Sequence, residues 1–418
     1  MSLKTRGILV VVIGTILGVS LSMGGALLAE RERPAARELT WEQARLLAEV
    51  MDRVKRDYVE PIDDAELLEN AIRGMVGDLD RHSDFLDASE YQNIRISTSG
   101  RYSGVGLEIS QADDRVLVLA PLDGPPAQRA GVEAGDEIIE IDGVTVADDG
   151  LNDTIDRLRG PAGTPVSITI LREGFDDPLD VRLTRQKIRV ASVRRELLDQ
   201  SIGYLRLSQF NDTTPSEAKL AISTLNVEAE NLSGEKMSGL ILDLRNNPGG
   251  ILDSAVGVSD LFIDEGVIVS AKGRTPESRF TRVARSGDVL DGAAIVVLVN
   301  GGSASASEIV AGALQDHHRA TIVGTRTFGK GLVQTVTPLS HGRAIKLTTS
   351  HYFTPSGDSI NETGVSPDVY VQGVRGYPDQ SLNGRLDREN DAQLIEALSL
   401  IRDMPVMHSR APDNPQTP

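Results

Sequence analysis

Two short runs constrain this chain more than any other feature. Gly239–Leu244 and Ala294–Asn300 are continuously apolar apart from Asp243 and the closing Asn300. Each ends in a Gly-rich turn, Arg245–Gly250 in one case and Gly301-Gly302-Ser303 in the other. Each turn leads into a helical pattern, to Phe262 and to about Asp316. A strand with no polar alternation is covered on both faces. A repeated strand, turn and helix therefore predicts an α/β architecture. In such folds, sites lie where strand C-termini meet helix N-termini. Both Gly-rich turns occupy such junctions. Further strands are expected at Ala320–Gly324, Leu332–Thr337 and Ala344–Thr348, and a last amphipathic helix between Asp391 and Ile401.

The upstream half reads differently. From Trp41, apolar residues recur at helical spacing through Leu47, Val50, Met51, Val54 and Tyr58, and a second stripe runs from Leu67 to Leu79. Asp63 or Asp64 suits the second N-cap. Stripes of this kind are more often intramolecular core, with assembly of several chains as the alternative. From about Gly100 to Lys187, short β-rich runs alternate with Gly, Asp and Pro turns. Before all of this, Lys4 and Arg6 precede an uncharged run from Gly7 to Ala29. Its length suits a bilayer-spanning helix and its order suits a signal sequence, cleaved or retained as an anchor. The rest of the chain is therefore expected outside the cytoplasm, in a bacterial periplasm and held at the inner membrane if the segment stays. The expected organisation is multidomain: 1–29 signal or anchor, 30–95 N-terminal helical domain, 96–188 β-rich domain, 189–375 α/β domain, and 376–418 C-terminal helix and tail.

Composition narrows the function. Over 418 residues the net charge is −18, and no basic run supplies the footprint that nucleic acid needs. The absence of cysteine excludes disulfides, thiolate nucleophiles and Cys-ligated metal sites.

The segment from Asn300 to Gln334 carries the chemistry. Ser303, Ser305 and Ser307 alternate with alanines where a strand gives way to a helix. A serine there stands among backbone N–H groups and the positive end of the helix dipole, which suits an oxyanion. Ser305 and Glu308 also have capping-box spacing, so a purely structural role competes. A hydroxyl nucleophile needs a base. His317 and His318 follow on the same helical pattern, roughly 18–20 Å from Ser305 at the helical rise. Lys330, in Gly329-Lys330-Gly331, is the better base, provided burial depresses its pKa. Gln334 shares its face of the following strand and suits an orienting role. Gly324 to Lys330 matches a nucleotide-binding loop except at its last position, where Gly331 stands in place of Ser or Thr. The residues after it alternate like a strand, which argues against nucleotide hydrolysis. In Arg245–Gly250, a glycine N–H approaching a substrate and a simple tight turn remain equally open.

Together these residues resemble the carboxyl-terminal processing peptidases, or tail-specific proteases. The resemblance covers nearly the whole chain after its first segment. It rests on Leu79-Asp80-Arg81-His82-Ser83, Ser303–Glu308, Thr327–Gly331, Asn246–Gly250, Thr354–Gly357 and Gly364–Asp368, in the family's order. It implies a PDZ-like domain followed by an α/β, crotonase/ClpP-like serine protease core. It further implies Ser305 as nucleophile, Lys330 as general base, Gln334 as its orienting group, and the N–H groups of Gly250 and Ala306 as oxyanion hole. Pro248 stands where relatives often carry glycine and has no N–H, so Gly250 takes that role. Tyr102–Leu107 resembles a PDZ carboxylate-binding loop, which implies peptide contacts at Gly104, Val105, Gly106 and Leu107. Arg159, in a family-like turn, is expected to couple that site to catalysis. The implied enzyme is a serine endopeptidase that needs no cofactor or metal and grips substrate proteins by their C-terminal tails. Homo-oligomerisation and an adaptor protein are implied by the same resemblance. A catalytically inactive PDZ scaffold that only binds C-termini is the competing expectation.

Overall fold

The computed structural model describes residues 40–112, 115–122, 124–147, 150–175, 177–285, 287–373, 386 and 388–403. The expected signal or anchor segment lies outside them, as does the tail after residue 403. Among the described residues no helix is long and apolar enough to cross a membrane.

The chain divides into two compact units, residues 1–74 and 75–418. In the first, Thr40 begins the helix Trp41–Asp57 with a complete capping box. The Gln43 N–H donates to Thr40 Oγ1 at 3.3 Å and the Thr40 N–H to Gln43 Oε1 at 3.0 Å. The apolar stripe expected to be core is not covered. No residue of this helix is buried, and Val50 is 50% exposed. Helical periodicity specifies a face but not what lies against it.

In the second unit, residues 107–184 build an antiparallel sheet in the order Leu107–Ala112, Arg115–Pro121, Glu137–Ile141, Pro165–Leu171, Leu179–Thr184. The alternating inward residues Val116, Val118, Val166, Ile168 and Ile170 form its core. Leu107–Ala112 is an edge strand of this sheet.

The following region holds a six-stranded sheet in the order Val193–Leu198, Ile202–Leu207, Gly239–Asp243, Ala294–Val299, Thr321–Gly324, Val369–Tyr370. The first pair is antiparallel and the rest are parallel. Alternate residues explain the two-sided burial. Leu240, Leu242, Ile295 and Val297 pack with the helices Thr214–Ser233, Leu252–Ser259 and Ala306–Asp316. Ile241, Val296 and Leu298 face the other way, onto Leu394, Ala397, Leu398 and Ile401 of the helix Ala392–Asp403. The last helix is thus intramolecular core.

A second sheet is built around the long strand Ala344–Phe353, which runs beyond the expected Thr348. One edge pairs with Leu332–Pro338. The other pairs with Asp84–Leu86 at Ala344–Lys346 and with Val267–Gly273 at Ser350–Phe353. Phe280–Val283 extends it further.

Candidate active site

The two Gly-rich turns meet. Ala304 donates its N–H to the Asn247 carbonyl at 3.0 Å, and Ser307 Oγ donates to the same oxygen at 2.9 Å. Ser303 Oγ donates to the Leu244 carbonyl at 2.8 Å. Ser303 and Ser307 are fully buried by these bonds, whereas Ser305 is half-buried and lines a cleft. Structure therefore separates three serines that look equivalent in sequence. Two staple the turns together and one is presented. Ser305 stands immediately before the helix Ala306–Asp316 at φ +55°, ψ −111°, a region costly for a residue with a Cβ.

The glycine requirement of the first turn has a steric cause. A Cβ on Gly249 would stand 2.8 Å from the Ala304 carbonyl and 2.9 Å from Ser305 Cβ. At Gly250, with φ +143°, it would meet the Phe210 carbonyl at 2.0 Å. Phe210 forms a bridge with Gly250, using the Gly249 carbonyl (2.9 Å) and the Ile251 N–H (2.8 Å). In this pattern the Gly250 N–H points away from Phe210. The Ala306 N–H belongs to the first helical residue and is one of the orphan donors of the helix start.

Glu308, expected only as a cap, organises the site. It is fully buried. Its Oε2 accepts from the Ser305 N–H at 2.7 Å and the Lys330 N–H at 2.9 Å. Its Oε1 accepts from Thr327 Oγ1 at 2.5 Å and the Gly329 N–H at 2.7 Å. One carboxylate thus joins the serine to the lysine loop. Tyr352 adds a second tie, its hydroxyl reaching the carbonyls of Ser305, at 3.0 Å, and of Lys330. Burial, then the Glu308 charge, pushes this phenol well above its usual range, so it remains a donor. The later motifs brace the loop from outside. Thr327 Oγ1 accepts from the Val365 N–H at 2.7 Å, and Glu362 donates its N–H to the Gly329 carbonyl at 2.8 Å.

Lys330 is half-buried. Burial lowers its amine pKa below the ordinary lysine value, and Lys346 lowers it further while Glu308 opposes both. In this conformation the amine is not bonded to the Ser305 hydroxyl, and Lys330 is not among the residues lining the cleft. Gln334 does line it, and its buried Nε2 has no hydrogen-bond partner. The cleft encloses about 580 Å³. Its walls bring Ser305, Ala306, Gly250 and Gln334 together with the apolar side chains of Leu252, Phe280, Ile309 and Leu332. His317 is remote from this chemistry: it follows the last turn of the helix, its Nε2 lying 2.7 Å from the Val267 carbonyl. Gly331 is followed by the strand Leu332–Pro338, so the nucleotide-loop pattern opens no helix.

Sequence reasoning missed a charge network under the first turn. Asp243 is fully buried, accepting from Tyr204 at 2.7 Å and Arg245 at 2.6 Å. Arg245 also contacts Asp391 at 2.8 Å, ahead of the last helix. Burial opposes the Asp243 charge, but Arg245, Arg206 and Tyr204 hold its pKa below the usual carboxylate range. An acidic residue inside an apolar strand run was the available signal.

In the antiparallel domain, Gly104, Val105, Gly106 and Leu107 line a cavity of about 170 Å³ with Ile109, Ile155, Leu158 and Arg159. Gly106 is held at φ +78° with Pro125 where a Cβ would be. The Arg159 guanidinium lies over the Tyr102 ring at 5.6 Å and bonds the side-chain oxygen of Asn93 in the helix Ala88–Ser99.

Comparison with known proteins gives these features a family. Residues 201–371 match peptidase family S41, and residues 117–172 match the PDZ domain. A carboxy-terminal-processing protease of Bartonella bacilliformis is 41% identical over 97% of this chain and 98% of its own length. A carboxyl-terminal-processing protease of Synechocystis sp. is 38% identical over 85% and 87%. A solved photosystem II D1 C-terminal processing protease is 35% identical, covering 78% of this chain and 86% of its own, with a TM-score of 0.46. The chain therefore belongs to peptidase family S41, as a PDZ-containing serine peptidase of the carboxy-terminal-processing group.

Proposed function

We propose that the enzyme hydrolyses peptide bonds with a Ser305/Lys330 dyad after its PDZ domain has gripped a substrate's C-terminal tail. The observation that supports the dyad most is Glu308, which ties the serine at the helix mouth to the loop of a lysine with a depressed pKa. Neutral Lys330 takes the Ser305 proton as Oγ attacks the scissile carbonyl. The N–H groups of Gly250 and Ala306 stabilise the oxyanion. Lys330 then returns the proton to the leaving amine, leaving an acyl-enzyme. Water, deprotonated by Lys330, releases the acyl product and restores the serine. The reaction requires the lysine amine to move from its present position to the hydroxyl, with Gln334 orienting it.

The tail is read in the cavity behind Gly104–Leu107. Its carboxylate is held by loop N–H groups and its chain adds to the edge strand Leu107–Ala112. The lining of Val105, Leu107, Ile109, Ile155 and Leu158 suits an apolar terminal side chain. Arg159, through Asn93, links this cavity to a helix whose end, at Ser97 and Thr98, borders the catalytic cleft. Loss of peptide-stimulated activity in Arg159→Ala is expected, and unchanged stimulation would remove that role. The boundaries 30–95, 96–188 and 189–375 remain the proposed domain limits. The Gly7–Ala29 run supports action outside the cytoplasm, on an inner-membrane anchor or after cleavage. A homo-oligomer and an adaptor protein complete the proposal.

The deciding experiment incubates an unfolded protein with wild type, Ser305→Ala and Lys330→Met. Both variants should lose cleavage by about 10³-fold or more while still binding tail peptides. Full proteolysis by either variant, or its abolition by chelators alone, would overturn the dyad.

A further inference from the structure

The PDZ domain joins the protease region through a two-stranded ribbon, Arg101–Gly104 paired with Gln186–Arg189. Both ends of this ribbon are seated on one turn, Asn211–Thr214, and on the helix that follows it. On the entering side, the Asp212 N–H donates to the Thr98 carbonyl at 3.0 Å. Gly100, left-handed at φ +63°, closes the helix Ala88–Ser99 directly against the Asn211 side chain, where a Cβ would stand 2.5 Å from Nδ2. On the leaving side, the Val190 N–H donates to the Gly100 carbonyl at 2.9 Å, Ser192 Oγ lies 2.8 Å from Thr214 Oγ1, and Arg189 is 3.0 Å from Glu217. The same turn continues directly from Phe210, whose backbone bridges Gly250. Ser254 Oγ, in the first turn of the helix after Gly250, donates to the Asn211 carbonyl at 2.6 Å. A single residue, Asn211, therefore stands between the seat of the ribbon and the proposed oxyanion turn.

The Asn211 side chain is fully buried. Its Oδ1 is occupied, accepting from the Thr213 N–H at 2.9 Å and from Thr213 Oγ1 at 2.8 Å. Its Nδ2 faces Gly100 and has no hydrogen-bond partner. A buried donor without an acceptor is costly, so a conformation that supplies one is favoured. We infer that Asn211 is a positioning residue that transmits occupancy of the tail cavity to the oxyanion turn through this unspent donor. The inference rests on the proposed grip on substrate tails and on the proposed role of Gly250. Tyr102 and Gly104 belong to the ribbon and also line the tail cavity. A bound tail displaces them, and the displacement carries Gly100 past the Asn211 amide. In the displaced state Nδ2 donates to a backbone carbonyl beside Gly100. A donor unpaired in one state and paired in the other is the differential interaction that a population shift requires. Phe210 and Ser254 then carry the new position of Asn211 to Gly250.

The test uses Asn211→Asp, which keeps the oxygen that Thr213 needs and removes only the Nδ2 donor. A short fluorogenic peptide blocked at its C-terminus reports turnover. A synthetic peptide ending in valine, with its C-terminal amide as control, occupies the tail cavity. The valine peptide should raise kcat about fivefold or more in wild type and leave it about unchanged in Asn211→Asp. Its affinity, read by fluorescence anisotropy, should stay the same in both. A purely structural Asn211 would lower stability without altering the stimulation factor. Stimulation in folded Asn211→Asp equal to wild type overturns the inference. If that variant misfolds, hydrogen exchange of the wild type decides instead. The valine peptide should then change protection at 209–214 and 249–251, and a change confined to the PDZ domain and its ribbon overturns the inference. A wild type that does not bind the valine peptide sinks the tail-gripping reading and this inference with it. Binding and stimulation that survive in Asn211→Asp sink only the role of Asn211.

Discussion

Glu308 has four donors and no room for a fifth. Each of its oxygens faces two of them, so replacement by an amide necessarily turns an NH2 toward groups that are already donors. Glu308→Gln should cost roughly 1–3 kcal/mol of stability, measured by denaturant unfolding. It should also lower kcat by about 10²-fold, because the lysine loop is no longer fixed to the serine. A second consequence concerns pH. A lysine acts as base only when neutral, and its neutral fraction grows as pH rises through its pKa. Burial and Lys346 bring that pKa below the ordinary lysine range, so the rising limb should lie at lower pH than an exposed lysine would give. Lys346→Met removes one of the two depressing causes and should shift the limb upward. An unchanged limb would contradict the role of that charge.

At the level of elements, the proposed catalysis depends on two strand-to-helix turns touching. The first comes so close to the second that only glycine fits at 249 and 250. In Gly250→Ala the new Cβ would lie 2.0 Å from the Phe210 carbonyl, which forces the turn away from the cleft. Expected outcomes are loss of peptide cleavage by about 10²-fold or more, the scale of an oxyanion donor, and a lowered melting temperature. Retained kcat would show that this N–H is not a catalytic donor. The second element is the edge strand Leu107–Ala112. Among the described residues it is the end strand of its sheet, the requirement for adding a peptide strand.

Across the whole protease region, the buried Asp243 and Arg245 link the central strand, the first Gly-rich turn and the residues before the last helix. Arg245→Met leaves a buried carboxylate without its main partner and should destabilise the fold by about 3–5 kcal/mol, read as a lowered unfolding midpoint. The folded pKa of Asp243 is depressed, so its stabilisation is complete above the unfolded carboxylate range. It is lost as pH falls through the folded value. In Arg245→Met the stability difference from wild type should therefore shrink in acid.

Local chemistry was enough to determine the central strands Gly239–Asp243 and Ala294–Val299, the Gly-rich junctions after them and the capping-box spacing of Ser305 and Glu308. Periodicity and turn preference act over a few residues, and Ser305, Lys330 and Gly250 lie within such stretches. Tertiary structure alone decided which of three alternating serines is presented, because Ser303 and Ser307 find their carbonyl partners some 60 positions away at Leu244 and Asn247. It also decided that Glu308 joins two loops and that Asp243 is neutralised by Arg245. The stripe on Trp41–Asp57 shows the converse, a periodic face specified locally and left uncovered by the fold. The physical reason is the same in each case. Hydrogen bonds to a buried carboxylate and steric exclusion of a Cβ depend on distances between remote segments, and no local pattern encodes those distances.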